Sequence, residues 1–321
     1  MSKPKVSVCI PCHNAGDYLE ATLDSLLAQT YPAIEIIVTN DGSTDRSAEI
    51  LDRYHQEYGV TVITQRLKSA AKSRNRALVE ATGQYVKFFD ADDLLSPEMI
   101  EKQVARLEGT THCIASSEWG RFHNNDPGTY QANPEKVWRD IDGRAWLVEA
   151  FAEARPMMQA GMFLIPKTLL DEAGPWDEEL TLVDDFEFYS RLFSRCDKIL
   201  FTPETTLYYR SGLAGSLSQK SDRHGAESAL LSYTRGVGHL LGKRSDADAK
   251  RSAATILQNF IYTYYPAHSD LLAQAATRVS ELGGCSLEPD GPPRFQSVRK
   301  LLGWKLARRI ELATLKFRHS S

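Results

Sequence analysis

The sequence predicts an α/β protein: a parallel sheet covered by helices on both faces, followed by a helical C-terminal region. Three observations carry this. Short apolar runs rich in β-branched residues alternate with helix-period segments through about the first hundred residues. Polar turns follow three of those strands: Cys12-His13-Asn14, Asn40-Asp41 and Asp90-Ala91-Asp92. Beyond Ala226 the strand signals give way to helical periodicity as far as Leu282.

Residues 6–10 form an apolar run closed by Pro11, a buried strand. Leu19, Leu23, Leu26 and Leu27 then fall on one helical face, with Asn14 or Asp17 as the expected cap. Residues 34–38 give a second strand, followed by the turn Asn40-Asp41-Gly42-Ser43 and a helix to Tyr58. A third strand is expected at 60–63 and a helix at 70–81 with Gly83 as its C-cap. The fourth strand, 85–89, closes on Asp90-Ala91-Asp92-Asp93. Further on, strands are expected at 112–116 and 162–165, and helices at 146–154 and 184–196. Polar loops are expected at 123–142 and 211–223. Pro292-Pro293 marks a break before the C-terminal tail. The expected division is 1–222 for the α/β domain and 223–321 for the helical region.

The 321 residues are 42% hydrophobic and 25% charged, with net charge −4, which excludes disordered, collagen-like and coiled-coil classes. No global basic balance points to nucleic acid as a partner. Residues 294–318 carry eight Lys or Arg against one acid, Glu311, a local +7 that leaves −11 on the rest. No segment approaches the roughly 18 apolar residues of a membrane span. The five cysteines are scattered; Cys9 and Cys12 form a CxxC pair with no second pair to complete a zinc set. With no leader-like anatomy before the first strand, the expected location is cytoplasmic.

The chemistry concentrates at strand ends. Asp90, Asp92 and Asp93 put three carboxylates into four residues, an arrangement that calls for a cation. Mg²⁺ or Mn²⁺ on phosphate oxygens suits it, since such ions take one or two carboxylates and fill the shell with substrate. The plainer alternative is a solvated acidic turn before the helix that starts near Ser96. The Asp41 carboxylate suits a ribose hydroxyl or base N–H, or else a helix cap. Arg74 offers a bidentate fork to diphosphate, or a solvated helix face. Asp184 and Asp185 open a helix, where the macrodipole favours acids; the sharper reading is a general base.

Taken in order, Val8-Cys9-Ile10-Pro11-Cys12-His13-Asn14, Leu26-Leu27-Ala28-Gln29-Thr30-Tyr31-Pro32, Asn40-Asp41-Gly42-Ser43-Thr44-Asp45, Ser73-Arg74-Asn75, Phe89-Asp90-Ala91-Asp92-Asp93, Asp184-Asp185 and Tyr209-Arg210 resemble the family 2 glycosyltransferases with the GT-A fold. The resemblance runs from Val6 to about Leu217. It implies a Rossmann-like nucleotide-binding sheet and an inverting, metal-dependent transfer of a sugar from a nucleotide-sugar, UDP by default, to a hydroxyl. Pro11, His13, Asn14 and Asp41 would line the nucleoside pocket, and Arg74 would approach base or phosphate. Asp90 and Ala91 would touch ribose, Asp92 with Asp90 would hold Mn²⁺ or Mg²⁺, and Asp185 beside Asp184 would be the base.

Departures from the family pattern are His13 for an aromatic, Asn40 for a first Asp, Asp184 for Glu, and no His in Ser211-Gly212-Leu213-Ala214. No Gln-x-x-Arg-Trp string is present, so transfer is expected to be non-processive. Two enzyme rivals, a haloacid dehalogenase-type phosphatase and a nucleotidyltransferase, share parts of this acid-turn logic. The other alternative is a catalytically weakened fold serving as a membrane-peripheral scaffold. The tail at 294–318 reads as a basic amphipathic helix. It lies on an anionic membrane, with a lipid-linked acceptor in surface polysaccharide or glycolipid synthesis, or it packs on the protein or a second subunit as a homodimer contact.

Overall fold

The computed structural model describes residues 3–123, 125–212 and 222–319, with side chains to 314. Four parallel strands build the first sheet: β1 (Val6–Cys12), β2 (Ile34–Asp41), β3 (Thr61–Gln65) and β4 (Tyr85–Phe88), in the order β3-β2-β1-β4. Val6, Val8, Cys9 and Ile10 are wholly buried, as a central parallel strand requires. The helices α1 (Leu19–Leu27), α2 (Ser47–Tyr58) and α3 (Ala70–Glu80) connect them. The parallel ladder brings the carboxyl ends of β1, β2 and β4 to one edge, where such sheets bind ligands.

A second sheet follows: β5 (Leu94–Leu95), then α4 (Met99–Leu107), β6 (Cys113–His123), β7 (Asp126–Ala132) and β8 (Ile141–Asp142). Next come α5 (Gly143–Ala152), a 3₁₀ turn at Ala160–Met162, β9 (Ile165–Pro166), α6 (Lys167–Ala173), α7 (Asp184–Phe193) and β10 (Lys198–Arg210). The order is β5-β10-β6-β7, with β6 and β10 parallel, while β9 closes the first sheet antiparallel to β4.

Several expectations need correcting. The stretch 123–142 is not all loop, because β6 turns back on itself as the β6–β7 hairpin. The strand expected at 162–165 is the 3₁₀ turn and the two-residue β9. Gly83 does not cap α3, whose C-cap is Ala81; a Cβ on Gly83 would come within 2.8 Å of Ser7 Oγ and the Lys5 carbonyl, so the residue serves close packing. Neither Asn14 nor Asp17 caps α1; Tyr18 holds that position, and the Asn14 side-chain oxygen accepts from Thr44 N at 2.8 Å. Most of the loop expected at 211–223, residues 213–221, lies outside the described residues.

The C-terminal helices α8 (Arg223–Leu241), α9 (Ala247–Tyr264) and α10 (Ser269–Glu281) bury a small core of their own around Ala229, Leu257, Phe260 and Leu271. Val237, Leu240, Ala253 and Ile256 from the same helices join the main core. Helix α8 lies so close to α7 that a Cβ on Gly236 would sit 2.4 Å from the Phe186 ring. The basic tail is not one helix. Gly303, at φ +77°, separates α11 (Pro293–Leu302) from α12 (Trp304–His319).

Candidate active site

The carboxyl ends of β1, β2 and β4 meet the first turn of α3, the N-terminus of α7 and the end of β10. Phe88 and Phe89 are fully buried, so the acid turn leaves the sheet from a fixed base. Within it, Asp93 is 1% exposed and accepts from Arg210 N at 2.8 Å and Gln159 Nε2 at 2.7 Å. Burial and the charges of Asp92 and Asp90 push its carboxyl well up. Asp90 accepts from Arg74 Nη2 at 2.8 Å and from Gln159 Nε2 at 3.0 Å. The Asp92 carboxylate has no side-chain partner among the described residues; burial first, then the Asp90 charge, raises it to about 6, with Arg210 pulling the other way.

Arg74, predicted as a cation for diphosphate, is buried between two acids. Its second terminal nitrogen, Nη1, donates to Asp184 Oδ2 at 2.8 Å, and its guanidinium lies 4.4 Å from the centre of the Trp176 ring. Trp176 stacks in turn on Phe188 of α7 at 3.9 Å, so one side chain ties β4, α3 and α7 together. Burial opposes the Arg74 charge, but Asp184 and Asp90 outweigh it and hold the group protonated.

At the head of α7, Val183 takes φ +60° and the acids follow at once. Asp184 Oδ1 accepts from Asp185 N at 3.1 Å, and Asp185 Oδ1 from Phe186 N at 2.8 Å. Burial and the neighbouring Asp184 charge lift Asp185 to about 7, against the pull of Arg74. A carboxyl poised there is suited to proton transfer near neutral pH.

The β1 and β2 ends form the other half of the rim. Asp41 is 7% exposed, and its carboxylate takes N–H donors from Leu67, Lys68 (2.9 Å) and Ser69 (3.0 Å), with the Ser73 hydroxyl at 3.4 Å. It therefore anchors the 67–69 loop and the start of α3 across the sheet edge. His13 Nδ1 donates to the Asp41 carbonyl at 2.8 Å, so its other ring nitrogen faces outward beside Asn14. Pro11 is half-buried in the same rim, and Ala91 is buried, its carbonyl taking the Thr22 hydroxyl at 3.1 Å.

Arg74, Asp90, Asp92, Asp184 and Asp185 thus share one electrostatic network, while Pro11, His13, Asn14 and Asp41 stand on the adjoining rim. Reasoning from the sequence did not find Gln159, Trp176 or the packing of Arg210. Arg210 is buried, stacked 4.9 Å from Tyr18 and 4.5 Å from Phe122, and its Nε donates to the Asp92 carbonyl. A polar residue alone in Met157-Met158-Gln159-Ala160-Gly161 was the available signal for Gln159.

Among the described residues no three His, Cys, Asp or Glu side chains form a ready-made ligand set. An ion of the Mg²⁺ or Mn²⁺ kind fits the donors present, because it needs only Asp92 and Asp90 and takes phosphate oxygens and water for the rest.

A parallel sheet carrying an acid turn, a buried arginine and a second carboxylate pair at its carboxyl edge defines the class, an α/β fold with its candidate site at the strand ends. The sequence profile described as Glycosyl transferase family 2 matches residues 7–172, and the chain belongs to that family. It is 48% identical over 101 residues to the uncharacterized glycosyltransferase YibD of Escherichia coli K12, covering 31% of this chain and 29% of YibD. It is 29% identical to the uncharacterized glycosyltransferase EpsJ of Bacillus subtilis, covering 64% of this chain and 61% of EpsJ. Glycosyltransferase GlyG of Streptococcus pneumoniae is 27% identical over 253 residues, 74% of this chain and 79% of GlyG. The chain thus spans less than two-thirds of YibD and of EpsJ. In three dimensions it is similar to residues 1–349 of S. aureus TarS, solved with UDP-GlcNAc: TM-score 0.67, 18% identity, 87% of this chain and 81% of that one. That likeness establishes the expected fold.

Proposed function

We propose that the protein is an inverting, metal-dependent, non-processive glycosyltransferase that moves a sugar from a nucleotide-sugar, UDP-linked by preference, to an acceptor hydroxyl. The observation that carries this is Arg74, which bridges Asp90 of the acid turn to Asp184 of the base pair and fixes the distance between donor and acceptor sides. Pro11, His13 and Asn14 line the nucleoside side, where Asp41 holds the 67–69 loop in place. Asp90 and Ala91 border the ribose. Asp92, with Asp90, would hold Mn²⁺ or Mg²⁺, which supplies Lewis-acid stabilisation of the departing diphosphate. Asp185 takes the proton of the acceptor hydroxyl as its oxygen bonds to the anomeric carbon and the bond to diphosphate breaks. Asp184 holds Arg74 and keeps that base oriented. Division into a catalytic unit, 1–222, and a helical unit, 223–321, goes with this reading.

We read the tail as a contact with the cytoplasmic face of an anionic membrane. Phe295, Trp304 and Ala307 pack α11 and α12 onto the body, Trp304 against Tyr262 and Tyr265 at 4.8 and 4.9 Å. Leu301, Leu302, Leu306 and Leu312 stay 84, 56, 44 and 36% exposed amid the local +7 charge. A fixed apolar edge ringed by cations complements anionic lipid. A lipid-linked acceptor for surface polysaccharide or glycolipid synthesis follows from that placement. No described helix is long and apolar enough to cross a membrane.

The test is thermal unfolding with UDP-, GDP-, dTDP- and CMP-sugars, with and without Mn²⁺, for wild type and Asp92→Asn. Ligand at about 100 times its Kd adds roughly 2.7 kcal/mol. A Mn²⁺-dependent shift with one nucleotide class, lost in the variant, supports the reading. No shift with any of them favours the scaffold alternative.

A further inference from the structure

Resting on that reading, we infer that Gln159 is a positioning residue for the divalent cation: it clamps Asp90 and Asp93 so that the acid turn presents Asp92, beside a fixed Asp90, to the ion. The side chain is 5% exposed. Its oxygen accepts from Gly161 N at 2.6 Å, which fixes which end of the amide is nitrogen. Both hydrogens of that nitrogen are then used, one on Asp93 Oδ2 at 2.7 Å and one on Asp90 Oδ2 at 3.0 Å. One neutral group thus fixes the separation of two carboxylates that would otherwise repel each other. Asp92, between them in sequence, receives nothing from it.

The turn behind Gln159 is built to hold it. Residues Ala160–Met162 form a buried 3₁₀ turn, and its carbonyls are taken by fully buried side chains. The Tyr189 hydroxyl donates to the Ala160 carbonyl at 3.2 Å and Gln103 Nε2 to that of Met162 at 2.8 Å. Lys87, from the strand that delivers the acid turn, donates to the carbonyls of Gly161 (2.8 Å) and Phe163 (3.3 Å). No carboxylate partners Lys87 among the described residues, and burial lowers its amine to about 7. A Cβ on Gly161 would lie 2.9 Å from Leu207 and Phe89, so the turn is pressed against both sheets. Three buried polar side chains are an unfavourable way to fill a core unless they fix a geometry. The geometry fixed here is that of Gln159 across the acids.

The experiment measures two quantities on the full chain: free Mn²⁺ by electron paramagnetic resonance, titrated with whichever of UDP, GDP, dTDP or CMP the wild type binds, and unfolding of the metal-free protein in urea. Gln159→Leu is expected to weaken Mn²⁺ about 10- to 100-fold, as loss of a ligand-orienting partner does, with nucleotide affinity in EDTA unchanged. Lys87→Met, which touches no acid, is expected to weaken Mn²⁺ in the same direction by a smaller factor. Gln159→Asn keeps the amide but draws it back by one methylene, and it serves as the folded test should the Leu variant fail to fold. A Gln159 variant with lowered urea midpoint and Mn²⁺ affinity within about twofold of wild type overturns the inference and leaves the glycosyltransferase reading standing. A wild type that binds none of the four nucleotides with Mn²⁺ overturns both.

Discussion

Arg74→Met should destabilise the protein by about 3 kcal/mol, at the lower end of the roughly 3–5 kcal/mol for removing one partner of a buried ion pair. The lower end applies for two reasons. Asp90 and Asp184 keep 28 and 17% side-chain exposure, so water takes up part of their unpaired charge. Methionine also preserves much of the apolar stem that lies against Trp176. With a urea slope of about 3 kcal/mol per molar for a chain of this size, the midpoint should fall by about 1 M. The cause is separable from lost packing by a double-mutant cycle with Asp184→Asn. If charge is the cause, removing Asp184 costs stability in wild type and costs less, or nothing, once Arg74 is gone. The coupling should be about 1–2 kcal/mol. A midpoint within about 0.3 M of wild type, or a coupling below about 0.5 kcal/mol, would refute the view that this arginine holds the site together.

Three further outcomes are expected. Glu187, 4% exposed on its side chain, is held at about 2 by the hydrogen bonds it accepts from His239 and Arg191, against the opposing effect of burial. Its folded value lies below the unfolded one, so its contribution of about 3 kcal/mol is complete above pH 4.5 and lost as pH falls toward 2; acid titration of Glu187→Gln should lack that loss. With Asp185 near 7, kcat/KM should rise about tenfold per pH unit below neutrality and level off above it, and Asp185→Asn should lose at least about 100-fold above neutrality together with that pH dependence. The exposed pair Leu301→Glu/Leu302→Glu should abolish co-sedimentation with vesicles containing anionic phosphatidylglycerol without altering the unfolding midpoint; retained binding would remove the tail from the membrane.

What the sequence made legible was local. A run ending in a polar turn marks both the strand and the site beyond it, and in this fold those two facts coincide, so the ends of β1, β2 and β4 were placed correctly. The longest strand escaped notice because Pro203, Glu204 and two threonines interrupt its run. There the pairing with β6 shifts register between Thr202 and Thr206, and Glu204 turns to φ +59°. Strand β7 lies largely exposed, with no alternation to betray it. Site contacts between distant segments left no trace either. Gln159 meets acids 66 and 69 residues away, and Asp41 is bonded by N–H groups 26 to 28 residues on. The same limit explains Asp41: its carboxylate was visible, but not the loop that occupies it.

The partners of the five acids divide them into two sets. Asp90 and Asp184 share Arg74, and Asp93 is bonded by Gln159 and the Arg210 backbone. Asp92 and Asp185 have no side-chain partner among the described residues, and they are the two to which cation and base roles are assigned on other grounds. That difference has a measurable sign. Both carboxyls sit above their unfolded values, near 6 and 7 against 3.8, so their ionised forms are disfavoured by folding. Protonated below about pH 4, neither affects stability; as pH rises from there through the folded values near 6 and 7, each destabilises the metal-free protein progressively, and above them the penalty is complete. At pH 8, therefore, Asp92→Asn and Asp185→Asn should each stabilise the metal-free protein by about 1–3 kcal/mol, a gain that vanishes near pH 4. Asp184→Asn, which takes a partner from Arg74, should do the reverse. Urea unfolding in EDTA at the two pH values decides the matter, because a site whose acids were all structural would lose stability with every one of these substitutions.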